Sequence, residues 1–222
     1  MIYIENLSKV YDQGQVAVQA LSGLSLHINK SAFLAFVGPS GCGKTTLLNI
    51  LGGLDRPTAG RVILDGTNLT ALPESRLFAI RRHKIGFVFQ SYYLLPNLSA
   101  LDNVLLPAIP VPGPKRARRQ RARELLARMG LAGKERQRPG QLSGGEQQRV
   151  AIARALILDP PVILADEPTG NLDRTNTQKV IHLLRHLNQQ LAKTIVIATH
   201  DPAVARICDQ FHIIKSTATY PV

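Results

Sequence analysis

The segment Gly38-Pro39-Ser40-Gly41-Cys42-Gly43-Lys44-Thr45 has the spacing GxxxxGK[ST], with Thr46 directly after it. Glycines at these intervals let backbone N–H groups curl around phosphate oxygens. Lys44 supplies a cation for β and γ phosphates, and the Thr45 hydroxyl is a ligand for Mg²⁺. Asp166 and Glu167 stand together at the end of the apolar run Val162-Ile163-Leu164-Ala165. One such carboxylate could simply cap the next element. Two, in a chain that also has a phosphate loop, suit separate tasks: Asp166 holding Mg²⁺ directly or through water, and Glu167 accepting a proton from an attacking water. A third segment, Leu142-Ser143-Gly144-Gly145-Glu146-Gln147-Gln148-Arg149, reads two ways. Ser143 followed three residues later by Glu146 is the pattern of a capping box. Gly144 and Gly145 at a helix start also expose N–H groups, backed by the helix dipole, to a second phosphate. One chain needs one cradle per nucleotide, so a second cradle suits the ATP of a partner subunit.

These residues need elements to hold them. Phe33-Leu34-Ala35-Phe36-Val37 is a solid apolar run, the glycines follow, and Thr45-Thr46-Leu47-Leu48-Asn49-Ile50-Leu51 reads as a helix. A buried strand feeding a helix through a Gly-rich turn is the setting the phosphate loop requires. Ile85-Gly86-Phe87-Val88-Phe89, Val162 to Ala165, and Ile195 to Thr199 are further buried-strand runs. Between the last two, Val180, Leu183, Leu184, Leu187 and Leu191 recur at helical spacing. Strands alternating with helices predict a parallel sheet, and acids at strand ends lie where its ligands gather. The first 30 residues alternate instead (Ile2, Ile4; Leu24, Leu26, Ile28) and predict an antiparallel layer. From residue 91 prolines at 96, 107, 110, 112 and 114 break the rhythm before a basic helix, so 91–160 is expected to be a mostly helical insertion in a single domain, 1–222.

With 45% apolar residues, 222 residues suffice for one core. No apolar run approaches the ~20 residues that cross a bilayer, and Met1-Ile2-Tyr3-Ile4-Glu5 lacks the layout of a signal peptide, which predicts a cytoplasmic protein. Cys42 and Cys208 form no ligand pattern and read as free thiols. Cys42 is either a small residue that fits the loop or a thiol activated at a helix N-terminus. Histidines 27, 83, 182, 186 and 212 read as surface residues. The formal charge of +12 is concentrated in Lys115, Arg116, Arg118, Arg119, Arg121, Arg123 and Arg128. That cluster is a solvated helix face, a contact for anionic lipid headgroups or a contact for nucleic acid, and composition does not separate the three.

Taken in order, the phosphate loop, the strand-end acids and the Ser-Gly-Gly segment resemble the ABC ATPases along essentially the whole chain. The resemblance implies an α/β P-loop NTPase fold with a parallel-sheet core, an N-terminal antiparallel β subdomain and a helical subdomain. It also implies ATP and Mg²⁺ as ligands. It places Tyr11 against adenine, makes Gln90 the glutamine that senses Mg²⁺ and the attacking water, and puts Asp173 of Asn171-Leu172-Asp173 at a dimer interface. His200, at the exit of a buried strand and before Asp201-Pro202, is implied to contact the γ-phosphate. Two copies are implied to pack head to tail around two ATP molecules and to dock on a membrane permease through Gln90 to about Leu106, peripheral to the inner membrane. Asp55-Arg56-Pro57-Thr58-Ala59-Gly60, Leu94-Leu95-Pro96 and Gly170-Asn171-Leu172-Asp173 resemble the subfamily of lipoprotein-release, macrolide-export and cell-division ATPases. The end, Lys215 to Val222, departs from the family's further Asp-Gly turn and strand.

Two other functions share parts of this pattern. An ABC ATPase acting on nucleic acid would suit the positive charge. The DNA-repair type requires a long coiled coil between the motifs and the translation type two ATPase halves, and this sequence has neither, so no specific nucleic acid is expected. An ATP-driven mechanical regulator of an envelope process, without transport, would carry the same motor.

Overall fold

The strand runs are apolar on both faces because each is covered twice. In the computed structural model, which describes residues 1–12, 16–215 and 219–221, β3 (Phe33–Val37), β6 (Ile85–Phe89), β7 (Val162–Asp166), β8 (Thr194–Thr199) and β9 (Gln210–Ile213) form a parallel sheet in the order β6-β7-β8-β3-β9. Successive side chains point to opposite faces, so β3, β6, β7 and β8 each feed two cores, while the outer strand β9 stays largely exposed. Phe33, Ile163, Ala165, Ile195 and Ile197 join one, and Leu34, Phe36, Val162, Leu164, Val196 and Ala198 join the other. Each fully buried Leu, Ile or Phe contributes about 1.5–3 kcal/mol.

The second core is closed by the antiparallel sheet, β10-β2-β1-β4-β5, built from β1 (Ile2–Asp12), β2 (Val16–Ile28), β4 (Ala59–Leu64), β5 (Thr67–Asn68) and β10 (Thr219–Pro221). Helix α1 (Lys44–Leu51) lies within it, burying Leu47, Leu48, Ile50 and Leu51, and α2 (Glu74–Lys84) adds Leu77. The first core is closed by α6 (Arg174–Leu191), whose stripe Val180, Ile181, Leu184 and Leu187 meets the sheet, and by the short α7 (Pro202–Ala205). Between β6 and β7 the chain forms α3 (Ala100–Leu105), α4 (Lys115–Arg128) and α5 (Gly144–Leu156), with Leu101, Val104, Leu126, Val150 and Ile152 continuing the same core.

Two expectations are refined. His212 is half-buried against the Phe36 ring, 6.1 Å between centroids, because β9 is an outer strand pairing with β3; it is not a plain surface residue. The departure at the C-terminus falls partly outside the described residues, at 216–218 and 222, while 219–221 pair antiparallel with β2 and extend that sheet at its edge. Cys42 is 1% exposed, as a small residue fitting the loop, and burial pushes the Cys208 thiol up to about 12.

The loop that follows β6 is organised by one amide. Asn103 is fully buried; its Oδ1 accepts from Leu95 N at 2.8 Å, and its Nδ2 donates to the carbonyls of Leu95, Leu98 and Ser99 at 3.1, 3.2 and 3.0 Å. Asn103→Ala strands these groups and is expected to lower stability by about 3 kcal/mol, seen as a lower urea midpoint at unchanged slope. A loss below about 1 kcal/mol would mean that residues 95–99 hold their course without the amide.

Candidate functional site

Register brings the site together. Phe89 pairs with Asp166, Asp166 with Ala198, and Val37 with Thr199, so four strands end along one edge of the sheet. Gln90, Glu167, His200 and the loop after Val37 therefore emerge side by side, where parallel sheets bind ligands.

The phosphate loop leaves β3 at Gly38 and enters α1 at Lys44. Gly43 has φ +97, and a Cβ on it would fall 2.2 Å from the Ala20 carbonyl oxygen, so β2 packs directly on the turn and only glycine fits. Lys44 is 6% exposed, and its Nζ donates to the carbonyls of Gly38 at 2.8 Å and Pro39 at 2.9 Å. Pro39, Ser40 and Gly41 are exposed at the crest. Tyr11, half-buried at the end of β1, donates its hydroxyl to Asp55 Oδ2 at 2.7 Å and lies 3.4 Å from Thr46 Oγ1; Lys9 Nζ sits 4.6 Å over its ring. Burial pushes the Tyr11 hydroxyl above its ordinary pKa.

Glu167 stands at the centre. Its backbone is left-handed, φ 44, a conformation that costs a non-glycine residue about 1–3 kcal/mol and persists where the surroundings impose it. Here the Glu167 N–H donates to the Ala198 carbonyl at 2.9 Å and the Glu167 carbonyl accepts from Gly170 N at 3.0 Å. Its Oε1 lies 2.9 Å from His200 Nδ1 and 3.8 Å from Lys44 Nζ. The carboxylate is 14% exposed, His200 56%. Three segments far apart in sequence thus meet on one oxygen.

Asp166 offers a different environment. Burial pushes its carboxyl above the ordinary value, a Thr45 hydrogen bond and the Lys44 charge pull it back, and the Glu167 charge adds to the rise. Its Oδ1 is buried and has no hydrogen-bond partner among the described residues. An orphaned carboxylate oxygen beside a hydroxyl fits a hard divalent cation such as Mg²⁺, which takes one or two protein oxygens and completes its shell from phosphates and water. Among the described residues no group of three His, Cys, Asp or Glu side chains forms a metal cage of its own.

Gln90 and Asn171 bond reciprocally: Gln90 Nε2 donates to Asn171 Oδ1 at 3.2 Å and Asn171 Nδ2 to the Gln90 carbonyl at 3.1 Å. Asn171 was visible in the sequence only as a neighbour of Asp173. Asp173 itself caps α6, accepting from Asn176 N at 2.9 Å and Asn176 Nδ2 at 2.6 Å, bonds that hold its carboxyl below the ordinary value.

The Ser143-Gly144-Gly145 segment is placed apart. Both halves of the capping box are present: Glu146 N donates to Ser143 Oγ at 3.3 Å and Ser143 N to Glu146 Oε2 at 2.9 Å, with Lys134 paired to Glu146 and holding its carboxyl low. The amides of Gly144 and Gly145 fall in the first turn, where helix N–H groups have no intrahelical partner. Gly145 packs against Asn176, whose Oδ1 would lie 2.5 Å from an added Cβ. Among the described residues no hydrogen bond or ion pair joins this segment to the chain's own phosphate loop.

Sequence reasoning missed two further positions. Gln148, fully buried, donates to the Pro168 carbonyl at 2.7 Å and ties α5 to the segment after Glu167. Arg154 donates to the carbonyls of Tyr92, at 2.6 Å, and Tyr93, both left-handed at φ 58 and 46. A lone arginine inside the apolar run of α5 was the only signal of that clamp, and burial lowers its pKa.

Comparison with known proteins agrees with this geometry. The ABC transporter family model matches residues 21–170. An uncharacterized ABC transporter ATP-binding protein of Thermotoga maritima is 52% identical over 87% of this chain and 82% of its own length. The lipoprotein-releasing system ATP-binding protein LolD of Bordetella avium is 49% identical over 94% of the chain and 91% of its own. A solved dimeric ATP-binding cassette in a post-hydrolysis state, bound to ADP and Pi, superposes with a TM-score of 0.90 at 43% identity, covering 100% of this chain and 98% of that one. A family match across more than half of the chain, and relatives so similar along most of their length, place the molecule: the chain belongs to the ABC transporter family, as one of its ATPase domains.

Proposed function

We propose that this chain is the ATP-binding, ATP-hydrolysing subunit of a transporter whose permease is a separate membrane polypeptide, with Glu167 as the group that accepts the proton of the attacking water. The observation that carries this reading is the convergence on Glu167 Oε1 of His200 at 2.9 Å and Lys44 at 3.8 Å, at the sheet edge where the phosphate loop opens. A carboxylate in hydrogen-bond reach of a water is a proton acceptor, and a histidine bonded to it fixes its orientation.

The loop 38–45 would bind the phosphates through its amides and Lys44, and the Tyr11 ring, tethered by Asp55 and Lys9, would stack on adenine. Thr45 and Asp166 would hold Mg²⁺, with Gln90 adding its amide oxygen. Bound there, Mg²⁺ supplies neutralisation of the charge on the β and γ phosphates. His200 would contact the γ-phosphate. Ser143, Gly144, Gly145 and Asp173 would complete the site of a second copy packed head to tail. The likeness to a dimeric cassette supports this, as does the separation of that segment from the chain's own loop.

The permease would dock along Gln90 to Leu106, beside a groove of about 360 Å³ lined by Phe87, Phe89, Tyr93 and Arg154. Among the described residues no helix is long and apolar enough to cross a membrane, and a position peripheral to the inner membrane's cytoplasmic face follows from the docking. The likeness to LolD favours extraction or export of a lipoprotein over that of a peptide or drug-like molecule. A regulator without transport would hydrolyse ATP equally well but would release no cargo when reconstituted with its membrane partner.

Glu167→Gln is expected to lower ATP hydrolysis by about 10²–10⁴-fold. Nucleotide binding is retained and the closed dimer favoured, so gel filtration with ATP should show a dimer; monomer alone would oppose the assignment. Lys44→Ala should weaken ATP binding about tenfold to a hundredfold, the worth of one or two charge-assisted hydrogen bonds, in isothermal calorimetry. Unchanged affinity would remove Lys44 from the phosphate site.

A further inference from the structure

Two cavities in the helical segment share a wall. The first, about 760 Å³, is lined by Arg119, Arg123, Arg136 and Arg138, with Asn97 and Ser99 as further polar groups. The second, about 390 Å³, lies between α3 and α4 over Leu98, Leu105, Leu106 and Ile109. Asp102 and Arg119 line both.

The basic residues of α4 and of the segment that follows it divide by partner. Arg118 is bound to the carbonyls of Ala108, Ile109, Val111 and Gly113, and Arg121 donates to the Ile157 carbonyl at 2.7 Å, so both are used in holding the fold. Arg123 and Arg136 are exposed, and among the described residues no hydrogen bond or ion pair engages either guanidinium. Among the described residues two carboxylates line the first cavity, and both have local partners: Asp102 bonds Ser99 and lies 3.8 Å from Arg119, and Glu135 accepts from Gly133 N at 3.1 Å. Four guanidiniums against two carboxylates leave a formal surplus of two positive charges.

We infer that this composite surface binds an anionic phospholipid, its phosphate headgroup among Arg119, Arg123, Arg136 and Arg138 and its apolar part along Leu105, Leu106 and Ile109. Guanidinium forks match phosphate oxygens. Ile109, 66% exposed, carries apolar surface directly beyond the shared wall. A free phosphate would make no use of that groove. A single-stranded nucleic acid would call for stacking side chains, and among the described residues no aromatic lines either cavity; a duplex, held through its phosphates, would leave the apolar groove unused. The site lies outside the nucleotide machinery but shares Leu98 to Leu106 with the segment proposed for the permease, so it is read on the chain without its permease, and the inference stands whether or not the proposed transport reaction is correct.

The test is flotation of the nucleotide-free full chain with vesicles of phosphatidylcholine, alone or mixed with phosphatidylglycerol. The chain should float with the anionic vesicles only and detach as salt is raised. The double variant Arg123→Gln/Arg136→Gln should partition about thirtyfold less, as expected for two cations lost from an anionic surface, with ATPase activity and thermal midpoint unchanged. Ile109→Ser should weaken binding severalfold without altering its salt dependence. Equal flotation of wild type and double variant, or equal binding to neutral vesicles, would overturn the assignment. So would glycerol 3-phosphate competing as strongly as intact lipid, which would point to a free phosphate, or a DNA duplex binding where vesicles do not.

Discussion

Parallel strands cannot be joined by hairpins, so each must return through a crossover, and every crossover begins at the same edge of the sheet. In this chain that constraint collects the phosphate loop after β3, Gln90 after β6, Glu167 after β7 and His200 after β8. None of these residues is near another in sequence. They become neighbours because paired strands of similar length end in step, and the two cores that sandwich the sheet keep those ends from sliding.

Electrostatics at this edge then separates two adjacent acids. Asp166 is drawn into the interior and keeps an unpartnered oxygen, whereas Glu167, turned by its left-handed backbone, projects toward Lys44 and His200. Neighbouring carboxylates with different surroundings can take different tasks. Lys44, buried and bonded to the carbonyls of Gly38 and Pro39, ties the start of the loop to the helix that follows it.

Much of this was legible in the sequence because the relevant signals are local. Apolar runs marked β3, β6, β7 and β8, helical spacing marked α6, and the phosphate loop and capping box carry their own spacing. What stayed hidden depends on contacts between distant segments. The Gln90–Asn171 pair spans 81 positions, the tether of Tyr11 to Asp55 spans 44, and Arg154 reaches back 62 to Tyr92. Polar side chains that bond distant backbone leave no periodicity behind, and Asp173 and Ser143 each satisfy a helix end while sitting in a motif. The edge pairing of 219–221 with β2 likewise has no local signature.

Helix α5 is held at both ends. Near its start Gly145 is pressed against Asn176, and near its finish Arg154 grips the backbone of Tyr92 and Tyr93. Its 13 residues span about 20 Å. A member pinned in this way behaves as a strut: it passes on a push as readily as a pull, and without slack. The Ser-Gly-Gly turn and the loop beyond Gln90 are therefore joined through one rigid element, so that neither can be repositioned without bearing on the other.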